Sequence, residues 1–326
     1  LGGLGSPRRR RADGRAQWGD LCGGDIRGPR FDRAMASDGY AWWYVDAVSD
    51  DERYAIAVIA MLGAACSPSY AAQRKRRAAN PLECGARIVA VYGPSGRRWA
   101  LTERRGASRA AAWLAIGPSS MRWEGGALVV DVDEITVPFA SRLRGRIRVE
   151  PESQGGEVHR LDAAGAHRWW PIAPRARVSV EWKDPAARWA GDGYLDANTG
   201  EEPLEEGFRS WQWSRAAVPG GAVVSYAVER RDGSSQTLDL RFDGRGEVRM
   251  DALTDRRLPK TRWRLDRSAL ARIAFAAGRA AELNAIVHPA VIARQREKIE
   301  SIARRHPAAV VVVESALIFE AAEGAE

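Results

Sequence analysis

Between residues 40 and 251, short stretches of apolar and β-branched residues alternate with clusters of Gly, Asp, Ser and Pro. YAWWYVDAV, YAIAVIAML, ARIVAVYG, RWALTE, ALVVDVDEITV and GRIRVEP form a first series, broken by SDDE, YGPSG and WEGGA. A second series comprises RARVSVEWK, ARWAGDGYLD, AVVSYAVERRDG and QTLDLRFDGRGEVRMD. Strand-length runs spaced by turn residues, without long helical patterns between them, predict antiparallel β-structure. The run SYAVERRDGSSQTLDLRF predicts a hairpin around its Gly/Ser turn, and RAAAWLAIG near Ala110 is a short helix or another strand. Two β-series of similar size predict two barrel or sandwich domains, at 31–150 and 151–264, with a shared cleft. Residues 1–30 are Gly/Arg-rich without periodicity and are expected to be disordered.

The pattern changes after Trp263. Residues 265–306 read as helix, a break at His288-Pro289, then helix, and AAVVVVESALIFEAA reads as a buried strand. This α/β segment, 265–326, is expected to be separate from the β-body.

The chain's 326 residues are 45% hydrophobic and 28% charged, with a net charge of +8, so a filled core is expected. Arginine clusters at 8–11 and around 74–77 suit a solvated surface, anionic lipid headgroups or nucleic acid. Cys22, Cys66 and Cys84 have no metal-type spacing and read as free thiols of a reducing compartment. No apolar stretch follows the early arginines, so no signal peptide is expected. The longest apolar run, residues 55–66, is too short to span a bilayer and suits a buried strand. The expected location is cytoplasmic, peripheral to a membrane.

Thirteen tryptophans outnumber the seven tyrosines and the six phenylalanines. Tryptophan fills cores, and it also lines sites for long apolar ligands and sugars. Candidate catalytic groups are few. His167 lies in AGAHRWWPIAP, where two prolines are expected to rigidify a turn. Tyr194 and Asp196, two apart, share one face if the segment is a strand. An aspartate in a tryptophan-lined cavity has its charged form disfavoured and becomes a proton donor near neutral pH. The alternative is an Asp that caps the following Asn-Thr-Gly turn. Glu201, Glu202, Glu205 and Glu206 read as a solvated face or a first helical turn. The chain has no metal-ligand cluster, no phosphate-binding loop and no nucleophile elbow, and a cofactor-free acid–base mechanism remains.

GPRFDR, GYAWWYVDAVSDD, LAIGPSSMRWEGGALVVDVDEITVP, HRWWPIAP and GYLDANTGEEPLEEGFRSWQWSR, in that order over residues 28–264, resemble the carotenoid 1,2-hydratases (hydroxyneurosporene synthases). The resemblance implies a mainly β fold of two consecutive lipocalin-like antiparallel barrels. It implies addition of water to the terminal double bond of acyclic carotenes such as neurosporene and lycopene, without cofactor or nucleic acid. Its H-x-W and Y-x-D groups fall on His167, Trp169, Tyr194 and Asp196. On that reading Asp196 protonates the alkene, Trp169 and Tyr194 stabilise the cation through their π-faces, and His167 positions or deprotonates water. Residues 265–326 resemble an internal fragment of dephospho-coenzyme A kinases lacking the phosphate loop. A non-catalytic lipocalin-like carrier, a carbohydrate-active site and a phosphotransferase are the competing readings.

Overall fold

The computed structural model describes residue 28, residues 30–64, 67–76, 78–94, 96–137, 139–152, 155–218, 220–243 and 246–250, and short strands at 255–258 and 267–270. The expected disordered N-terminus (apart from residues 28 and 30), Cys22, Cys66 and most of the expected helix–helix–strand of the tail lie outside these residues; at its start, Arg267–Leu270 is strand where helix was expected.

The β-body is a twelve-stranded antiparallel sheet with a smaller sheet laid on its outer wall. The first series forms β1 (Tyr40–Ser49), β2 (Ala55–Leu62), β3 (Gly85–Gly93) and β4 (Gly96–Arg104). A short helix α1 (Pro68–Arg74), capped by the Ser67 side chain, links β2 to β3. Then follow β5 (Ala107–Ala110), β6 (Trp113–Ile116), β7 (Ser119–Glu124), β8 (Ala127–Ile135) and β9 (Arg142–Pro151). The ambiguous RAAAWLAIG segment is therefore strand, contributing to the β5–β6 hairpin.

The two-residue β10 (His159–Arg160) pairs with the long β11 (His167–Asp184), which turns back into β12 (Ala186–Gly200). Across the sheet the order is β4-β3-β2-β1-β12-β11-β9-β8-β7-β6-β5. The two edge strands, β4 and β5, are joined by a two-residue turn with Gly106 at φ +76°. That short link forces the edges together, and the sheet curls into a nearly closed barrel. Val137 N–H donates to Trp99 O, and Thr102 Oγ1 to Glu134, tying β4 to the end of β8.

The strand alternation shows which face is which. On β9, Leu143, Ile147 and Val149 point into the barrel core, while Arg142, Arg144 and Arg146 are exposed beside Asp131 and Asp133. On β1 both faces are buried. Trp43, Val45 and Ala47 enter the barrel core, whereas Tyr40, Trp42 and Tyr44 enter a second core outside it. A strand buried on both sides carries no polar face, hence the near-continuous apolar run.

The second core is closed by a four-stranded meander: β13 (Phe208–Val218), β14 (Gly221–Arg230), β15 (Ser235–Asp243) and β16 (Gly246–Arg249). The helical turn α2 (Leu204–Gly207) leads into it, with Glu205 and Glu206 in its first turn. The expected hairpin is β14–β15, with Gly233 at φ +86° in its turn. Leu238, Leu240, Phe242, Val224, Tyr226 and Val228 face the barrel wall. The remaining described strands are β17 (Asp255–Leu258) and β18 (Arg267–Leu270), paired with each other.

The expected division at residue 150 does not follow a sheet boundary. β11 pairs with β9, and β12 with β1, so strands from both halves complete one barrel. The reason is length: β11 and β12 span 18 and 15 residues, enough to bridge both halves. The described residues form one barrel and a covering sheet, and a second barrel is not completed among them. HRWWPIAP is likewise strand, not turn. Its prolines lack the N–H a ladder requires, and the β11–β12 register shifts on either side of Ala173, next to Pro171 and Pro174.

Candidate active site

The seam between barrel wall and covering sheet is where the sequence-predicted residues lie. Antiparallel pairing of β1 with β12 sets Tyr40 opposite Gly200, Trp42 opposite Asn198, Tyr44 opposite Asp196 and Asp46 opposite Tyr194. Two Tyr-x-Asp pairs, Tyr44/Asp46 and Tyr194/Asp196, thus cross each other on one face. Each tyrosine hydroxyl donates to the aspartate two residues on, Tyr44 to Asp46 at 2.9 Å and Tyr194 to Asp196 at 2.8 Å.

The two carboxylates have opposite environments. Asp46 receives Arg215 from β13 on both oxygens, with Nε at 3.0 Å from Oδ2. Asp196 has no cation. Its Oδ2 accepts from Trp169 Nε1 at 2.9 Å and from Tyr194 Oη, and its Oδ1 is buried without a partner. Desolvation dominates, outweighs the two hydrogen bonds and pushes the Asp196 carboxyl up to about 7, with nearby Asp46 adding to the rise. Since Oδ2 already accepts two donors, the proton of the neutral acid resides on Oδ1, the oxygen left free for other chemistry. Burial, with the neighbouring aspartates adding, raises both tyrosine hydroxyls well above their usual range, so both remain donors.

The surroundings are aromatic. Trp213 lies 5.1 Å from Tyr194 and 5.3 Å from Tyr44 between ring centroids. Trp169 stacks with His159 at 5.4 Å and lies against Tyr226 at 4.9 Å, and its hydrogen bond to Asp196 is through the indole N–H. The Arg215 guanidinium sits 5.5 Å over the Tyr194 ring.

His167 is fully buried but stands elsewhere. It pairs with Gly200, four residues beyond Asp196 on β12, or roughly 13 Å along the strand. Between them lies the row Trp42, Asn198 and Trp169. Its ring is held at both nitrogens, Nδ1 with Tyr40 Oη at 2.8 Å and Nε2 with Glu202 at 3.1 Å. The structure therefore brings Trp169, Tyr194 and Asp196 into direct contact and sets His167 two rows away. Of the acidic residues after Gly200, Glu201 pairs with Arg168 and Glu205 with Arg74. With Glu202 on His167, three of those glutamates are engaged in pairing. Among the described residues no group of acidic, His or Cys side chains could hold a metal ion.

Sequence reasoning passed over Tyr44, Asp46, Arg215 and His159. The repeated Tyr-x-Asp spacing was a usable signal for the first two. Arg215 carried none, because its partner lies 169 residues away.

A crystal structure from Nitrosomonas europaea, described as an AttH protein, superposes with a TM-score of 0.51 over 68% of this chain and 70% of that one, at 15% identity. At that identity it attests the lipocalin-like β-barrel fold alone. An acyclic carotenoid 1,2-hydratase from Thiocapsa roseopersicina is 49% identical over 245 residues, 74% of this chain and 60% of that protein. The corresponding protein of Rubrivivax gelatinosus is 42% identical over 247 residues, 74% of this chain and 61% of that protein. The chain thus spans about 60% of the length of these curated relatives. A much shorter stretch of 58 residues is 48% identical to a dephospho-CoA kinase from Moorella thermoacetica. The carotenoid hydratase CrtC family matches residues 58–290, past the boundary expected near 265. With that match over most of its length, the chain belongs to the CrtC carotenoid hydratase family.

Proposed function

We propose that the protein hydrates the terminal C1–C2 double bond of acyclic carotenes such as neurosporene and lycopene. The observation that carries the mechanism is the unpartnered Oδ1 of Asp196, buried and protonated near neutral pH. Asp196 transfers this proton to the alkene carbon whose protonation leaves a tertiary cation. The π electron pair forms the new C–H bond, and the carboxylate left behind is the cation's counter-ion in a low-dielectric seam. Water then adds through oxygen, and its surplus proton returns to the carboxylate, so alkene plus water gives alcohol and regenerated acid. The Tyr194 and Trp169 donors stabilise the transient carboxylate. Tyr194, Tyr44 and Trp213 form the wall beside the cation. His167 braces the adjoining row through Tyr40 and Glu202, a positioning role rather than direct contact with the reacting carbon.

A carrier has no use for such a group. Keeping a carboxyl buried beside an unpartnered oxygen costs stability, and an apolar ligand gains nothing from it. No cofactor enters the scheme.

Contact with a membrane surface is part of the proposal, because the substrate dissolves in bilayers. Arg74 is occupied by Glu205 and lies 5.1 Å from the Tyr70 ring centre, which leaves Lys75 and Arg76 as the described members of that cluster for headgroups. No helix among the described residues is long and apolar enough to cross a membrane.

The test is incubation of the purified chain with lycopene or neurosporene in detergent or liposomes, with product identified by mass and chromatography. A product heavier by one water, absent with Asp196→Asn, is the expected result. Unchanged carotene with a folded, carotene-binding protein overturns the reading.

A further inference from the structure

The seam has one polar end. Past Tyr194 and Asp46, a cavity of about 180 Å³ opens beside the β13–β14 turn, lined by residues that include Pro174, Arg175, Asp192, Gly193, Arg215 and Ala217. A buried water needs only about 10–15 Å³ and two to four polar partners, so the cavity has room for several. Among the lining residues is Arg215, whose Nε and Nη2 engage Asp46 and whose guanidinium covers the Tyr194 ring. Tyr194 in turn donates to Asp196. Solvent cavity, Arg215, Tyr194 and Asp196 are thus in contact one after another. Gly193, on the cavity wall, is three residues from Asp196 on β12, or roughly 10 Å.

We propose that this cavity is the water inlet of the site, with Arg215, anchored by Asp46, passing single waters into the aromatic seam. The inference rests on the hydration reading above. A polyene offers no hydrogen bond with which to orient a water, so the protein must supply that orientation. Water entering along the apolar walls would be unbound. At the Arg215 end it meets a guanidinium with Nη1 donors not used by Asp46, and a carboxylate with lone pairs remaining. The polar reactant and the apolar one therefore approach Asp196 from different sides.

The experiment narrows the cavity without touching the charged pair. Ala217 is exposed, on the rim of the cavity and at the end of β13, so larger side chains there are compatible with folding. Ala217→Leu and Ala217→Trp are compared with Arg209→Trp, an exposed control on the same strand. The expected result is a graded fall in kcat for lycopene hydration, about tenfold or more for Trp, with KM for lycopene and thermal stability unchanged. The control should behave as wild type. Wild-type kcat in both Ala217 variants, or an equal loss in the control, overturns the inlet. Failure of the wild-type protein to hydrate any acyclic carotene overturns the hydration reading instead, so the two failures are distinct.

Discussion

Asp196 holds its proton on the one carboxyl oxygen that has no hydrogen-bond partner, and that arrangement carries a stability penalty. Its carboxyl titrates at about 7 when folded, against about 3.9 in an unfolded chain. The folded state therefore holds the proton more tightly, and the resulting stability is fully present below about pH 4. It is lost as pH rises towards about 7, beyond which the buried charge costs on the order of 4 kcal/mol. Asp196→Asn retains an oxygen for the Trp169 and Tyr194 donors while removing the charge. It should raise the melting temperature more at pH 8 than at pH 5 by calorimetry. The same variant should lower hydration by about 10² to 10⁴, the usual worth of a general acid. A second prediction concerns Tyr194→Phe, which removes a hydrogen bond that lowers the Asp196 pKa. The alkaline fall in kcat should then move to higher pH; an unmoved profile would argue against Asp196 as the titrating donor. That Tyr194 and Asp196 share a face was legible from their spacing alone, because strand geometry is local. The choice between buried acid and turn cap was not. It depended on whether β12 runs on to Gly200, and it does.

At the scale of elements, glycine marks where β9 lies against β11. A Cβ on Gly145 would lie 2.4 Å from the Trp182 ring and 2.6 Å from Glu181 O. Backbone cannot yield there, so Gly145→Val should cost at least about 2–3 kcal/mol by urea denaturation. It should do so without altering the pH dependence of any activity, since Trp182 lies at the far end of β11, thirteen residues from Trp169. Strand existence was readable from alternating residues such as Leu143, Ile147 and Val149. The length of β11 was not, because Pro171 and Pro174 imitate a turn in sequence. In three dimensions the register shifts beside them let the strand continue.

At the scale of the whole molecule, the described residues form two large cores, and the proposed chemistry belongs to the second. Val130 belongs to the barrel interior and Leu240 to the seam. Leu240→Ala should lose about 2–5 kcal/mol and also change KM or kcat. Val130→Ala should lose stability with little kinetic effect at temperatures where it stays folded. Equal kinetic damage from both would place the site elsewhere. The amino-acid sequence by itself determined that the body is antiparallel β, that Asp196 and Tyr194 are companions, and that the family is one of carotenoid hydratases. These follow from periodicity, turn residues and motifs, all properties of neighbouring positions. Only the tertiary structure decided that β11 and β12 belong to one barrel among the described residues and that the candidate site lies on its outer wall. It alone set His167 two rows from Asp196 and brought Arg215 to Asp46. Those outcomes depend on pairings between residues far apart in the chain, which local pattern cannot encode.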